Sequence, residues 1–231
     1  KQDNARSIQG EINNALLTIL KEPIETITSS RTDAGVHCEH NFLHFDTTLV
    51  FNLKKLAYQL NAILDKDIAI HEIKEVISEA HSRFNAQARV YSYRIHQFKN
   101  PLIREFSYFY PFPLDFKLMK QACEIFSQND DFQSFSKKHT EVQNFICKLS
   151  RCEWIQHNQY ENEFIVEGNR FLRGMVRGLV GTSLQIGRGK ISIKELSTIL
   201  ASKDCSKANF SAEAKGLTLK QVNYKEEIFL H

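Results

Sequence analysis

The stretch RVYSYRIHQF, residues 89–98, decides the fold class of this chain. Its side chains alternate, so that Tyr91, Tyr93 and Ile95 share one face and more polar residues share the other. This period of two is that of a β-strand with one face packed on a core. The sequence around this strand must therefore supply both further strands and the elements that cover its apolar face.

Helices and strands are predicted on both sides of residues 89–98, without a regular βαβ alternation. Apolar residues at helical or alternating spacing indicate these elements. The helices are predicted at residues 7–20, 53–64, 116–127, 170–186 and 192–202, and the further strands at 24–29, 41–47, 68–70, 149–157, 163–168 and 217–222. Such an irregular order favours an α+β fold with a mainly antiparallel or mixed sheet.

Composition is typical of a soluble globular protein in a reducing compartment. The chain has 231 residues, 42% of them hydrophobic and 25% charged. No apolar run approaches the roughly 20 residues that cross a bilayer. The five cysteines are scattered without a Cys-x-x-Cys pair, which predicts free thiols and a cytoplasmic location without membrane attachment.

Positive charge is concentrated in one part of the sequence, although the net charge is only +3. The segment 168–190 has no acidic residue. Its basic residues are Arg170, Arg173, Arg177, Arg188 and Lys190. We expect a cationic surface that faces a ligand, and the alternative is a solvated face with uneven charge.

Common cofactor and metal motifs are missing. No Gly-x-Gly-x-x-Gly pattern or P-loop occurs, so phosphate binding of those kinds is not supported. The group His37, Cys38, His40 and His44 could suggest zinc, but a strand would place His37 on the face opposite His40 and His44, and no second ligand pair follows. The sequence therefore predicts no metal site.

Three separated segments contain the candidate catalytic residues: the loop RTDAGVH at 31–37, the strand at 89–93 and the helix RFLRGMVRGLVG at 170–181. Taken alone, Asp33 suits a turn and Tyr91 suits a core. Arg177 is more unusual, because a charge on an apolar helix face is costly without a partner. Arg177 therefore indicates a site.

Together these segments resemble the signature sequences of the tRNA pseudouridine synthase A family. That family has an Arg-Thr-Asp-x-Gly-Val-His loop, a Tyr-x-Tyr strand and a Phe-Leu-Arg-x-Met-Val-Arg helix. Four further segments resemble the family in the same order, and the resemblance covers nearly the whole chain. They are LNAIL at 60–64, HSRFNA at 81–86, DFQSF at 131–135 and GLTL at 216–219.

The resemblance implies the pseudouridine synthase fold, with two α/β subdomains and a central cleft. Residues 1–85 are then expected to form the subdomain with the Asp33 loop, and residues 86–231 the subdomain with the Tyr91 strand and the Arg177 helix. The family also begins with a strand carrying Tyr-Asp-Gly and Gly-Trp-Gln segments, which this sequence does not contain. We therefore expect the N-terminal subdomain to lack that strand.

The resemblance also implies roles for individual residues. Asp33 corresponds to the catalytic nucleophile, Arg177 to its salt-bridge partner, and Tyr91 to the tyrosine that stacks on the target base. Arg31 corresponds to the arginine thought to fill the space of an extruded base. Arg173, Arg170 and Arg83 are further candidates for contact with RNA, and Arg173 is expected one helical turn before Arg177.

The implied activity is isomerisation of uridine to pseudouridine at positions 38, 39 and 40 of the tRNA anticodon stem-loop. The implied assembly is a homodimer with tRNA lying across both subunits. No redox change or external group enters this reaction, so neither a cofactor nor a metal is expected. The alternatives are another RNA substrate, a non-catalytic tRNA-binding protein that kept the fold, and an Asp-nucleophile hydrolase, which would need a metal partner.

Overall fold

The computed structural model describes residues 6–138 and 142–230 of the chain. Within them the chain forms two compact units. The first unit comprises residues 6–31, 41–86 and 224–230, and the second comprises residues 32–40, 87–138 and 142–223.

Five helices and eight strands are present in the described residues. In chain order they are α1 Ile8–Leu20, β1 Ile27–Thr28, β2 His37–Cys38, β3 Leu43–His44, α2 Leu53–Ile63, β4 Ala88–His96, β5 Tyr108–Phe109, α3 Phe116–Ser127, β6 Leu149–Gln156, β7 Glu161–Gly168, α4 Met175–Gly187, α5 Ile193–Ser202 and β8 Leu217–Asn223. Short 3₁₀ helices occur at Gln133–Phe135, Ala214–Gly216 and Glu226–Ile228. None of the described helices is long and apolar enough to span a bilayer.

The first unit is built on the packing of α1 against α2, beside the antiparallel pair β1–β3. Leu16, Leu56 and Leu60 are almost fully buried in its core. Helix α1 begins at Ser7, whose Oγ accepts a hydrogen bond from the Gly10 amide and so satisfies one of the free donors of the first turn. The apolar faces predicted from helical spacing are thus the faces that this unit buries.

The second unit is built on a six-stranded sheet with the order β2-β8-β4-β7-β6, and β5 pairs with the end of β4. The pairs β8–β4, β4–β7 and β7–β6 are antiparallel, whereas β2–β8 and β4–β5 are parallel. The predicted α+β class with a mainly antiparallel sheet is confirmed. The stretch that decided this prediction forms β4, which has strands on both sides.

Helices cover one face of this sheet. α3 packs against β6 and α4, and α5 packs against α3. The core between them contains Tyr93, Trp154, Phe164 and Leu179, all nearly inaccessible to solvent. Because α4 is buried along most of its length, its position relative to the sheet is fixed by packing. The side chains of the first turn of α4 therefore also have a fixed position relative to the sheet.

The opposite face of the sheet is polar and has a buried carboxylate at its centre. Ser92 Oγ donates to Glu163, His157 Nε2 lies 2.8 Å from Glu163 Oε2, and Arg94 Nε lies 3.5 Å from Glu163 Oε1. Burial raises the pKa of Glu163, but these hydrogen bonds and the Arg94 charge outweigh it and lower the pKa below its usual value. Glu163 therefore remains ionised within the sheet.

One predicted strand is absent from the structure, and one predicted helix is shorter than expected. Residues 68–70 do not form a strand, because the side chain of Asn61 bonds both backbone groups of Ile70, accepting from its N–H and donating to its C=O at 2.7 Å each. The helix predicted at 170–186 begins only at Met175. Gly174, with φ +76°, has a left-handed conformation that a helix cannot include.

Candidate active site

The Asp33 loop is a tight turn that leads directly into the sheet. The Val36 amide donates to the Asp33 carbonyl at 3.1 Å, and Gly35 closes the turn with φ +79°, a conformation that favours glycine. Strand β2 follows and pairs with β8, with His37 opposite Thr218. The Asp33 carboxylate is thus held four residues before the edge of the sheet, and its side chain is 28% exposed.

Arg177 provides the carboxylate with a cationic partner. It lies in the first turn of α4, and its side chain is 18% exposed. Its Nε donates to the Ala212 carbonyl at 2.7 Å, and its Nη1 lies 3.4 Å from Asp33 Oδ2. The guanidinium can bond both groups at once because its donors are fixed in one plane. The charge on this apolar helix therefore has the partner that its burial requires.

Lys137 is a second cation at the same carboxylate, and no pattern in the sequence predicted its position there. Its Nζ lies 3.5 Å from Asp33 Oδ2, and its side chain is 33% exposed. It follows the 3₁₀ helix Gln133–Phe135 in an irregular segment. The sequence showed only that Lys137 lies two residues after the DFQSF segment. Because this part of the sequence has no helical or alternating periodicity, it does not predict which way the Lys137 side chain points.

Tyr91 lies in the middle of β4 and is 7% exposed. In the sheet register it stands opposite Leu219, which in turn stands opposite Cys38 of the strand that follows the Asp33 loop. Its ring makes an edge-to-face contact with Phe171, with 5.1 Å between the ring centroids. Tyr91 is therefore a buried aromatic residue in the same unit as Asp33 and Arg177.

Tyr93 is a core residue. It is fully buried, and its hydroxyl donates to the Glu213 carbonyl at 2.7 Å. Burial is the main reason that the pKa of Tyr93 is raised far above that of a free tyrosine, and the nearby Arg177 charge opposes this only in part. Its phenol therefore stays protonated.

The remaining predicted RNA-contacting residues occupy different parts of the structure. Arg170 is half-buried in the second unit. Arg173 is exposed, but it precedes α4, so its expected position one helical turn before Arg177 is wrong. Arg31 and Arg83 are exposed residues of the first unit, where the Arg83 guanidinium lies 5.8 Å from the ring centroid of Phe84.

The histidines and cysteine considered for zinc have other contacts. His37 Nε2 lies 2.7 Å from the Glu105 carbonyl, and His44 Nδ1 lies 2.9 Å from Ser82 Oγ. Across residues 6–138 and 142–230, no group of three or more His, Cys, Asp or Glu side chains has an arrangement that could hold a metal ion.

This arrangement suits nucleophilic chemistry. Asp33 Oδ2 contacts two cations, and a carboxylate side chain can act as a nucleophile. Partial exposure leaves Asp33 accessible, and both of its cationic partners belong to the same unit. The geometry thus provides a partly exposed carboxylate held by two cations.

Comparison with known proteins gives consistent similarities. Residues 122–225 match a family model described as tRNA pseudouridine synthase. The chain is 41% identical over 229 residues to a protein of Bacteroides fragilis, covering 99% of this chain and 91% of that protein. It is 39% identical to a protein of Parabacteroides distasonis (99% and 90%) and 37% identical to one of a Geobacillus species (96% and 91%). All three relatives are named tRNA pseudouridine synthase A.

Proposed function

We propose that Asp33 is the nucleophile of this chain and that its targets are uridines 38, 39 and 40 of the tRNA anticodon stem-loop. The chain belongs to the tRNA pseudouridine synthase A family, whose members are isomerases that convert uridine to pseudouridine in tRNA. The observation that carries the assignment of Asp33 is its ion pair with Arg177 at 3.4 Å. A residue that served only the turn would have no need of this partner.

The reaction requires a carboxylate that is ionised and accessible. The glycosidic C–N bond of the uridine breaks, the uracil rotates, and a C–C bond forms between C5 and C1′ of the ribose. The C5 proton then leaves. Asp33 starts this sequence as the nucleophile while Arg177 stabilises its charge. The heavy atoms of the product all come from the uridine, and N1 takes up a proton from solvent in place of the C5 proton that is lost, so the reaction requires no external group.

Tyr91 and Arg31 act on the target base. A uridine within a stem must leave the helical stack before Asp33 can reach it, and this costs a few kcal/mol. The Tyr91 ring offers a stacking surface to the extruded uracil. Arg31, adjacent to the catalytic turn in sequence, occupies the space that the base leaves in the stem.

Arg173, Arg170 and Arg83 contact the RNA backbone. Modification of three neighbouring positions requires recognition by phosphate contacts and shape more than by base identity. The enzyme acts as a cytoplasmic homodimer, with one tRNA lying across both subunits.

Tritium release from tRNA carrying [5-³H]uridine tests the role of Asp33. The unsubstituted chain should release tritium, whereas Asp33→Ala and Asp33→Asn should release none above background. Asp130→Asn changes an exposed carboxylate of the same unit and should leave release unchanged. Release from Asp33→Ala at the rate of the unsubstituted chain would exclude Asp33 as the nucleophile.

The target positions are tested with anticodon-arm variants that retain one uridine at position 38, 39 or 40. We expect release from each of the three substrates and none when all three positions are cytidine. Release from the cytidine substrate would place the target elsewhere in the tRNA.

A further inference from the structure

We infer that Lys137 is a positioning residue for the reaction, a second cation that fixes the Asp33 carboxylate together with Arg177. This inference rests on the proposed role of Asp33 as the nucleophile. Lys137 holds Oδ2 in place so that Oδ1 faces the nucleotide, and it does not contact the nucleotide itself.

The two cations converge on one oxygen atom. Arg177 Nη1 lies 3.4 Å from Asp33 Oδ2, and Lys137 Nζ lies 3.5 Å from the same atom. They come from separate elements, the first turn of α4 and the segment after the 3₁₀ helix Gln133–Phe135. Within the part of the chain that the structure describes, Oδ1 receives no hydrogen bond. The carboxylate therefore has one restrained oxygen and one available oxygen.

Arg177 alone does not fix the orientation of the carboxylate. Its Nε is committed to the Ala212 carbonyl, and its hydrogen bond to Asp33 is a single contact rather than a bidentate pair. One contact leaves the carboxylate free to rotate about its terminal torsion, which is broad. A second cation on the same oxygen, approaching from another element, restricts that rotation.

Lys137 is itself held in place by the turn before α4. Its backbone N–H donates to the Arg173 carbonyl at 3.0 Å. Its stem passes over Gly174, where an added Cβ would lie 2.9 to 3.1 Å from Lys137 Cγ, Cδ and Cε. Gly174 thus provides the left-handed turn that starts α4 and also the space for the lysine stem. A lysine confined in this way loses little further freedom when it restrains Asp33.

Single-turnover measurements separate positioning from RNA binding. We would compare Lys137→Met, Lys137→Arg and Lys138→Met by tritium release with excess enzyme, and measure the Kd for tRNA separately. Lys138 is the adjacent exposed lysine and serves as the matched control. We expect Lys137→Met to lower the single-turnover rate about tenfold, while its Kd for tRNA stays within about twofold of the original. Lys137→Arg should recover most of the rate. Lys138→Met should change neither the rate nor the Kd.

Thermal unfolding of each variant establishes that it is folded, and Lys137→Gln provides a second neutral variant if Lys137→Met is not. An unchanged rate in the neutral variant would overturn the inference. So would a weakened Kd with an unchanged rate, which would make Lys137 an RNA contact. If the unsubstituted chain releases no tritium, the proposed function fails and this inference fails with it. Release that needs Asp33 but is unaffected at Lys137 overturns this inference alone.

Discussion

At the scale of single residues, Arg177 combines two contacts that another cation cannot reproduce. Its guanidinium bonds the Ala212 carbonyl and the Asp33 carboxylate from one rigid plane. Lysine has the same charge but only one nitrogen at the end of a flexible stem. Shape as well as charge therefore matters at this position.

We expect Arg177→Met to lower the single-turnover rate of tritium release about a hundredfold, because a charge that is preorganised at Asp33, the proposed nucleophile, is removed. Arg177→Lys should fall between Arg177→Met and the unsubstituted chain, because it keeps the charge but loses one of the two contacts. Equal rates for the lysine variant and the unsubstituted chain would show that charge alone is needed.

His96 makes the stability of the chain depend on pH. Burial is the main cause of its lowered pKa, the Lys215 charge adds to it, and Glu161 opposes it. The folded state therefore binds a proton less readily than the unfolded state, whose histidine pKa is about 6.5. The contribution of neutral His96 to the free energy of unfolding is fully present above about pH 6.5 and is lost as the pH falls below that value.

The prediction is that His96→Gln loses less of its melting temperature between pH 7.5 and 5.5 than the unsubstituted chain does. His71→Gln, at an exposed histidine, should keep the original pH dependence. Thermal unfolding monitored by circular dichroism measures both. Parallel curves for all three proteins would contradict this account of His96.

Site residues differed in how well the sequence could predict them. Asp33, Arg177 and Tyr91 belong to segments with a recognisable order, and the oddity of a charge on an apolar helix already indicated a partner. Lys137 could not be found in this way, because its direction depends on the Gly174 turn and on a backbone bond to Arg173. Contacts made by irregular segments leave no periodic pattern in the sequence.

At the scale of elements, α4 depends on close approach of its backbone to a neighbouring segment. At Gly181 an added Cβ would collide with the Asn209 carbonyl oxygen, a backbone atom that cannot move aside alone. Gly189, just after the helix, has open space around it but a φ of +68°. The two glycines are thus required for different reasons, one steric and one conformational.

We expect Gly181→Ala to lower the free energy of unfolding by about 1–3 kcal/mol through overpacking. Gly189→Ala should cost about 1–2 kcal/mol, through its left-handed backbone alone. Urea denaturation followed by circular dichroism gives both values. A neutral Gly181→Ala would mean that the Asn209 segment yields without cost.

The start of α5 offers a second test at this scale. Ser192 and Glu195 form a reciprocal capping box, in which each side chain bonds the other residue's backbone N–H. Ser192→Ala should cost about 1 kcal/mol of stability. In a double-mutant cycle with Glu195→Ala the two losses should be less than additive, because either change breaks the shared motif. Strict additivity would show that the two bonds act independently.

Elements with strong periodicity were predicted best. α1, α2, α3 and α5 begin and end within a residue or two of the predicted bounds, because each has a clear apolar face and a capping residue. The strands predicted at 24–29 and 41–47 shrink to the two-residue strands β1 and β3. Local alternation cannot show how far two such segments stay paired, since this depends on contacts distant in sequence.

At the scale of the whole molecule, binding of tRNA should be dominated by phosphate contacts. The affinity should fall steeply with salt concentration, because each neutralised phosphate releases counterions. Arg173→Met should reduce the slope of log K against log salt by about one. Lys117→Met, at an exposed lysine of α3, should leave the slope unchanged. A flat response of the unsubstituted chain would exclude the segment 168–190 as an RNA contact surface.

The grouping of segments into units is the feature least accessible from the sequence. Residues 32–40 belong to the unit formed mainly by the second half of the chain, and residues 224–230 belong to the unit formed mainly by the first. Composition and periodicity describe neighbours along the chain. They do not predict which segments distant in sequence pack together.

The parallel pairing of β2 with β8 has a consequence during synthesis on the ribosome. The strand that follows the Asp33 loop finds its partner only at Leu217–Asn223, and Arg177 bonds a carbonyl at Ala212. Chains are made from the N-terminus, so Asp33 emerges early but is anchored only after β8 has been translated. A nascent chain that has not yet reached these residues therefore lacks the contacts that hold Asp33 and Arg177 in place.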